Sequence, residues 1–86
     1  MIKIWVKKIK EFKIVKSYIF SKEEKFSAAD IFEYLTEIGE KLDFPVPVVL
    51  KKHIKHLVLY RQIKFDRADF IEEVDFDSLV LDNLSK

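Results

Sequence analysis

The apolar residues of this chain change period, from two in the first twenty residues to between three and four beyond residue 27, and that change restricts the fold to a combination of strand and helix. Ile2, Ile4 and Val6 alternate with Lys3, Trp5 and Lys7. Period two in β-branched residues marks a strand with one buried face. Residues 12–20, FKIVKSYIF, are rich in strand formers and predict a second strand. The segment KIKEF that joins them has no Gly, Asn or Pro, so the chemistry of a tight hairpin is weak and the register stays open. Beyond residue 27 the spacing lengthens. Ala28, Ile31, Leu35, Ile38 and Leu42 fall on one stripe of a helix. Ser27, with Asp30 three residues on, reads as a capping box at its start. Gly39 lies inside this pattern, where it costs about 1 kcal/mol relative to Ala. A close approach of another backbone would explain it.

Phe44-Pro45-Val46-Pro47 ends the helix, because a residue before proline avoids the α region. Pro47 predicts a second, short helix from its first position. Leu50, Ile54 and Leu57 would form its apolar face, leaving Lys51, Lys52, Lys55 and one or both of His53 and His56 exposed. LVLYRQIKF (57–65) reads as a strand, DRADF as a single turn capped by Asp66, and Ser78–Asp82 as a last strand. Leu79, Val80 and Leu81 are apolar in succession, which fits a central strand buried on both faces and paired in parallel with the first.

The predicted architecture is a single α+β domain over residues 1–86. A mixed sheet, made of an N-terminal hairpin and C-terminal strands, is covered by one long helix. This element order resembles the β-grasp (ubiquitin-like) fold; the competing arrangement is a purely antiparallel α+β meander. Eighty-six residues suit one modest core without staples. Hydrophobic residues make up 49% and aromatics 14%, so the 36% charged fraction does not indicate disorder. Cysteine is absent, which fits a reducing compartment and excludes disulfides and thiol chemistry. The start MIKIWVKKIKEFK has no continuous apolar run of the signal-peptide kind. No stretch approaches the ~18 apolar residues of a membrane span. The chain therefore reads as cytoplasmic, with no membrane partner.

Charge is organised in alternating blocks. Residues 1–25 hold eight Lys against three Glu; residues 26–50 hold one Lys against five acids. Residues 51–64 hold Lys51, Lys52, Lys55, Arg61 and Lys64 with no acid; residues 65–86 hold seven acids against Arg67 and Lys86. A chain of net charge +1 built this way carries oppositely charged surfaces, which serve partner choice more than fold.

The stretches LTEIGEKLDFPVPVVLKKHIKH (35–56), FDRADF (65–70) and VDFDSLVLDN (74–83), with the MIKIWVK start, resemble a group of short uncharacterised proteins of Gram-positive bacteria. The resemblance spans most of the chain and implies a whole protein. It implies no activity.

Few residues are arranged for chemistry. His53 and His56, at i and i+3 on a helix, share a face, as a pair of transition-metal ligands would. Two ligands are too few, a third would have to come from Asp66 or Asp69, and Lys51, Lys52 and Lys55 oppose a dication. The pair reads instead as one His packed at the helix edge and one exposed. Residues 66–77 are acidic but lack the glycine of a calcium loop, and Phe70, Ile71 and Val74 interrupt them. A solvated acidic rim over apolar anchors fits better than a cation loop or a paired-carboxylate hydrolase. Ser17, Ser21, Ser27, Ser78 and Ser85 are better placed in strands, turns or a cap than as nucleophiles. One glycine cannot build a phosphate loop, and the end LDNLSK lacks the di-glycine of conjugated modifiers. No catalytic residue, metal or cofactor is assigned, and the chain reads as non-enzymatic.

An interaction module is the expectation that is left. The partner is an unidentified protein or a second copy. The candidate surface comprises Trp5, Lys7, Lys51, Lys52, His53, Lys55, His56 and Arg61. Trp5 lies on the strand face opposite Ile2, Ile4 and Val6, and is expected to be more than half exposed and to anchor the partner. The alternative is nucleic acid, held by the Lys-rich hairpin and the 51–64 segment with aromatic stacking. Against it stand the near-neutral charge and the preference for Lys over Arg.

Overall fold

The computed structural model describes residues 1–85. Strands β1 (Ile2–Lys10) and β2 (Lys13–Lys22) form the N-terminal hairpin. Helices α1 (Ile31–Leu42) and α2 (Lys51–Tyr60) follow, then strands β3 (Gln62–Asp66) and β4 (Ser78–Asn83). The four strands make one sheet in the order β2-β1-β4-β3, with antiparallel pairing throughout.

The alternation in β1 is realised in the structure. Ile2, Ile4, Val6 and Lys8 face one side, and Lys3, Trp5, Lys7 and Ile9 the other. Register carries that division across the sheet. Val6 lies between Tyr18 and Leu81, and Leu81 opposite Ile63; Lys8 pairs with Leu79, and Leu79 with Phe65. Both helices cover this side. Their buried residues Ile31, Tyr34, Leu35, Ile38, Leu42 and Leu57 join the strand residues in one core. The other side of the sheet carries no helix.

Several expectations need correction. The sheet is antiparallel, not mixed, because β1 and β4 pair antiparallel from Ile4↔Asn83 to Ile9↔Ser78; the central parallel pair of a β-grasp sheet is therefore missing. Central placement of β4 and its burial on both faces are as expected, with Leu79, Val80 and Leu81 all buried. Val80 faces the open side, in register between Lys7 and Lys64. Two helices of 12 and 10 residues cover the sheet in place of one long one. The second starts at Lys51, with Leu50 as its extended N-cap residue, not at Pro47. It runs to Tyr60 through residues read as strand, and Arg61 then turns the chain in the left-handed region (φ 58°). Finally, Ser27 forms no capping box. Residues 28–30 make a 3-10 turn, and the Ser27 N–H donates to the Tyr34 hydroxyl (3.1 Å).

The hairpin closes through an unusual pair. Glu11 (φ 52°) and Phe12 (φ 65°) both have positive φ, the signature of a two-residue type I′ turn, which favours Asn-Gly. The Asp77 carboxylate accepts the Glu11 N–H at 2.8 Å. Phe12 is fully exposed, so it contributes no packing in return for its backbone strain. Phe12→Gly should therefore raise stability by about 1 kcal/mol. Urea unfolding checks this; an unchanged or lower midpoint would contradict the turn geometry. Beyond the turn the register shifts between Lys8↔Lys16 and Ile9↔Ile14, leaving Val15 as a bulged residue.

Candidate interaction surface

Because both helices lie on one side, the sheet's other side is a surface whose make-up follows from register. Ile19, Trp5, Asp82 and Gln62 stand in one row, Ser17, Lys7, Val80 and Lys64 in the next, and Ile14, Ile9, Ser78 and Asp66 in a third. The half on β1 and β2 alternates apolar pairs with the polar pairs Lys3–Ser21 and Lys7–Ser17; Ile14 and Ile19 are about half exposed (53% and 45%), Trp5 and Ile9 partly buried, and Phe12 stands at the tip. The half on β3 and β4 is polar. Asp82 pairs with Lys7 and accepts from Gln62 Nε2 (2.7 Å). Lys3, Lys7 and Lys64 rise among these residues, and Lys10, Lys13 and Lys16 surround the hairpin end.

Trp5 is half-buried, not largely exposed as expected. The Lys7 ammonium sits 4.2 Å from its ring centroid and is held there by Asp82, while Ile19 flanks it in register. Trp5 and Lys7 thus form a fixed cation–π unit. The remaining residues of the expected surface are elsewhere. Lys51, Lys52, Lys55 and His56 line the exposed side of α2, across the sheet from Trp5. Arg61 is tied to the C-terminal segment, donating to the carbonyls of Asn83 (Nε, 3.2 Å) and Ser85. The eight residues do not share one face.

His53 belongs to the core. It is 2% exposed, with its ring 4.5 Å from that of Phe65. Its Nδ1 accepts the Leu50 N–H at 2.9 Å, which satisfies an orphan donor at the start of α2 and places the proton on Nε2. Nε2 faces Asp69 Oδ2 at 3.6 Å and has no hydrogen-bond partner among the described residues. Asp69 Oδ2 instead accepts the Asp66 N–H at 2.9 Å. Sequence brought the names His53 and Asp69 together as metal ligands; the structure brings them together around a helix start. Among the described residues no three His, Asp or Glu side chains gather as a metal site. His56 is exposed, beside the Tyr60 ring at 5.6 Å.

Burial holds His53 below its ordinary pKa of 6.5; Asp69 opposes that shift, while Lys52 and His56 add to it. The folded state thus favours neutral His53, and the unfolded chain takes up a proton below about pH 6.5. Stability from this group is present above that pH and should be lost as pH falls through the folded value. Unfolding midpoints taken between about pH 7 and pH 5 should fall for the wild type and fall less for His53→Asn, which keeps an acceptor near Nδ1 without titrating. Equal slopes would contradict the assignment.

A hollow of about 600 Å³ opens at the hairpin end between β1, β2, Asp43, Pro45 and residues 73–76. Lys8, Lys10 and Lys16 face Asp43, Glu73 and Asp75 across it, and its lining includes no serine, threonine or histidine. Lys8 is committed to structure, donating to the Asp43 carbonyl (3.2 Å) above the Phe76 ring (5.1 Å). No described helix is long and apolar enough to cross a membrane. No family model matches the chain, and neither a curated protein nor a solved structure matches it.

Proposed function

We propose that this chain is a non-enzymatic interaction module that binds a protein partner through the open face of the β1–β2 hairpin. One observation supports this reading: two apolar pairs, Trp5–Ile19 and Ile9–Ile14, stand on either side of the Ser17–Lys7 pair, with Phe12 exposed at the tip, on the side of the sheet that no described helix covers. Apolar side chains left exposed together among charged ones mark a docking site. The surrounding lysines steer a partner of acidic surface towards it. The cysteine-free composition fits a reducing cytoplasm as the place of action.

The nucleic-acid alternative needs the hairpin lysines and the 51–64 lysines on one track. The fold sets Lys51, Lys52 and Lys55 across the sheet from Lys3, Lys7 and Lys64, which weakens that reading. Capture from native lysate, with and without nuclease, separates the two. Ile19→Lys should abolish retention of the protein partner in both arms, while Val58→Lys on exposed α2 should not. Loss of all retained material on nuclease treatment would replace the protein reading with the nucleic-acid one.

A further inference from the structure

We infer that the outer edge of β2, from Lys16 to Lys22, is a docking edge for an extended acidic segment of a partner protein, which adds to the sheet as a fifth strand. This rests on the interaction reading above and names the chemistry of the partner. β2 ends the four-stranded sheet, and among the described residues its backbone pairs with β1 alone. The edge is long for one left open. The bulge at Val15 interrupts its start, but Lys16 to Lys22 runs in unbroken register with β1. An unpaired row of this kind is a template for strand addition.

Its side chains select the occupant. Lys16, Tyr18, Phe20 and Lys22 share the helix side with Lys8, Val6, Ile4 and Ile2; Ser17, Ile19 and Ser21 share the open side with Lys7, Trp5 and Lys3. Lysines therefore bracket the edge on one side, with Tyr18 between them. Lys16 makes no ion pair among the described residues, and Lys22 reaches Glu37 at 3.1 Å on exposed surface. A second copy is a poor occupant in the one register that pairs the whole edge, 16–22, with itself. Antiparallel self-pairing centred on Ile19 sets Lys16 against Lys22 twice, and directly opposed like charges destabilise a sheet. The chain's own acidic segment, 71–77, is held in place by Phe76, which is buried in the core. The segment that fits comes from another protein. It carries acids six residues apart, to meet Lys16 and Lys22, and apolar residues between them beside Tyr18.

The test is an amide-resolved NMR titration of the full chain with the capped heptapeptide Glu-Thr-Val-Thr-Val-Thr-Glu. Saturable shifts and slowed amide exchange should centre on residues 16–22. Lys16→Glu should weaken the peptide about tenfold, by placing like charges together. The same peptide with Lys for Glu, or with Pro for its central Thr, should not bind. No saturable shift up to millimolar peptide would overturn the inference, as would shifts elsewhere that Lys16→Glu leaves unchanged. The lysate capture tells this failure from that of the broader reading. A partner lost on Ile19→Lys but kept on Lys16→Glu removes the edge and leaves the interaction surface; a partner kept by both variants removes the surface itself.

Discussion

Replacing Phe65 with alanine should remove about 3–5 kcal/mol of stability, most of what a domain of this size holds. Phe65 is fully buried in β3, opposite Leu79 of β4. Its ring lies against His53 of α2 at 4.5 Å and edge-on to Phe70 at 6.5 Å; Phe70 in turn meets Phe76 edge-on at 5.4 Å. One side chain therefore ties α2, β4 and the 66–77 connection together. Truncation leaves a void lined by rings that cannot collapse inward without moving α2. Urea unfolding measures the loss, with Val58→Ala on the exposed side of α2 as a control that should stay within about 0.5 kcal/mol. A loss under about 1 kcal/mol for Phe65→Ala would mean that these rings do not form the joint described.

Gly39→Ala should also destabilise, by about 1–3 kcal/mol, although alanine is the better helix former by about 1 kcal/mol. The reversal of sign comes from the path of the chain. Asp43 ends α1 in the left-handed region (φ 55°, ψ 63°), and the Phe44 N–H returns to the Gly39 carbonyl at 3.1 Å. A Cβ on Gly39 would stand 2.8 Å from the Phe44 carbonyl oxygen and 3.4 Å from its ring. The first contact is with backbone, which cannot turn aside as a side chain can. A thermal unfolding curve for Gly39→Ala that moves to higher temperature would contradict this geometry.

Both effects bear on how much of the fold was written legibly in the sequence. The alternation of Ile2, Ile4 and Val6 and the stripe Ile31, Leu35, Ile38 and Leu42 each fill the core face they predicted. Gly39 announced a close backbone approach because a glycine there has a local penalty that something must offset. The boundary between α2 and β3 was not legible, for a physical reason. Val58 and Tyr60 favour strands by type, as do Ile63 and Phe65 beyond them, but Leu57 lies one helical turn beyond His53 and both are buried. Counting His53 as polar hid that i, i+4 pair, and tertiary burial overrode local preference. The stop signal was equally hidden, since Arg61 adopts the left-handed conformation that usually marks glycine. The direction of the β1–β4 pairing could not be read from apolar content, because a central strand has much the same composition in either direction.

The candidate surface was legible in part. Alternation alone placed Trp5 on the face opposite the core, and the structure leaves that face without a helix. What it could not supply was the row opposite each residue. Asp82, far along the chain, holds Lys7 over Trp5 and so takes the indole out of the role of a lone exposed anchor. The lysines of 51–64 looked continuous with those of the hairpin in charge, yet α2 carries them on the other side of the sheet. Charge blocks give sign along the chain; only topology gives the side.

The most direct test of the central claim is to compare what wild type, Ile19→Lys and Val58→Lys retain from nuclease-treated native lysate, with each variant's amide spectrum showing an intact fold. The account predicts a specific protein held by wild type and Val58→Lys and lost by Ile19→Lys. Retention by Ile19→Lys equal to wild type would show that the open face of the hairpin is not the binding surface.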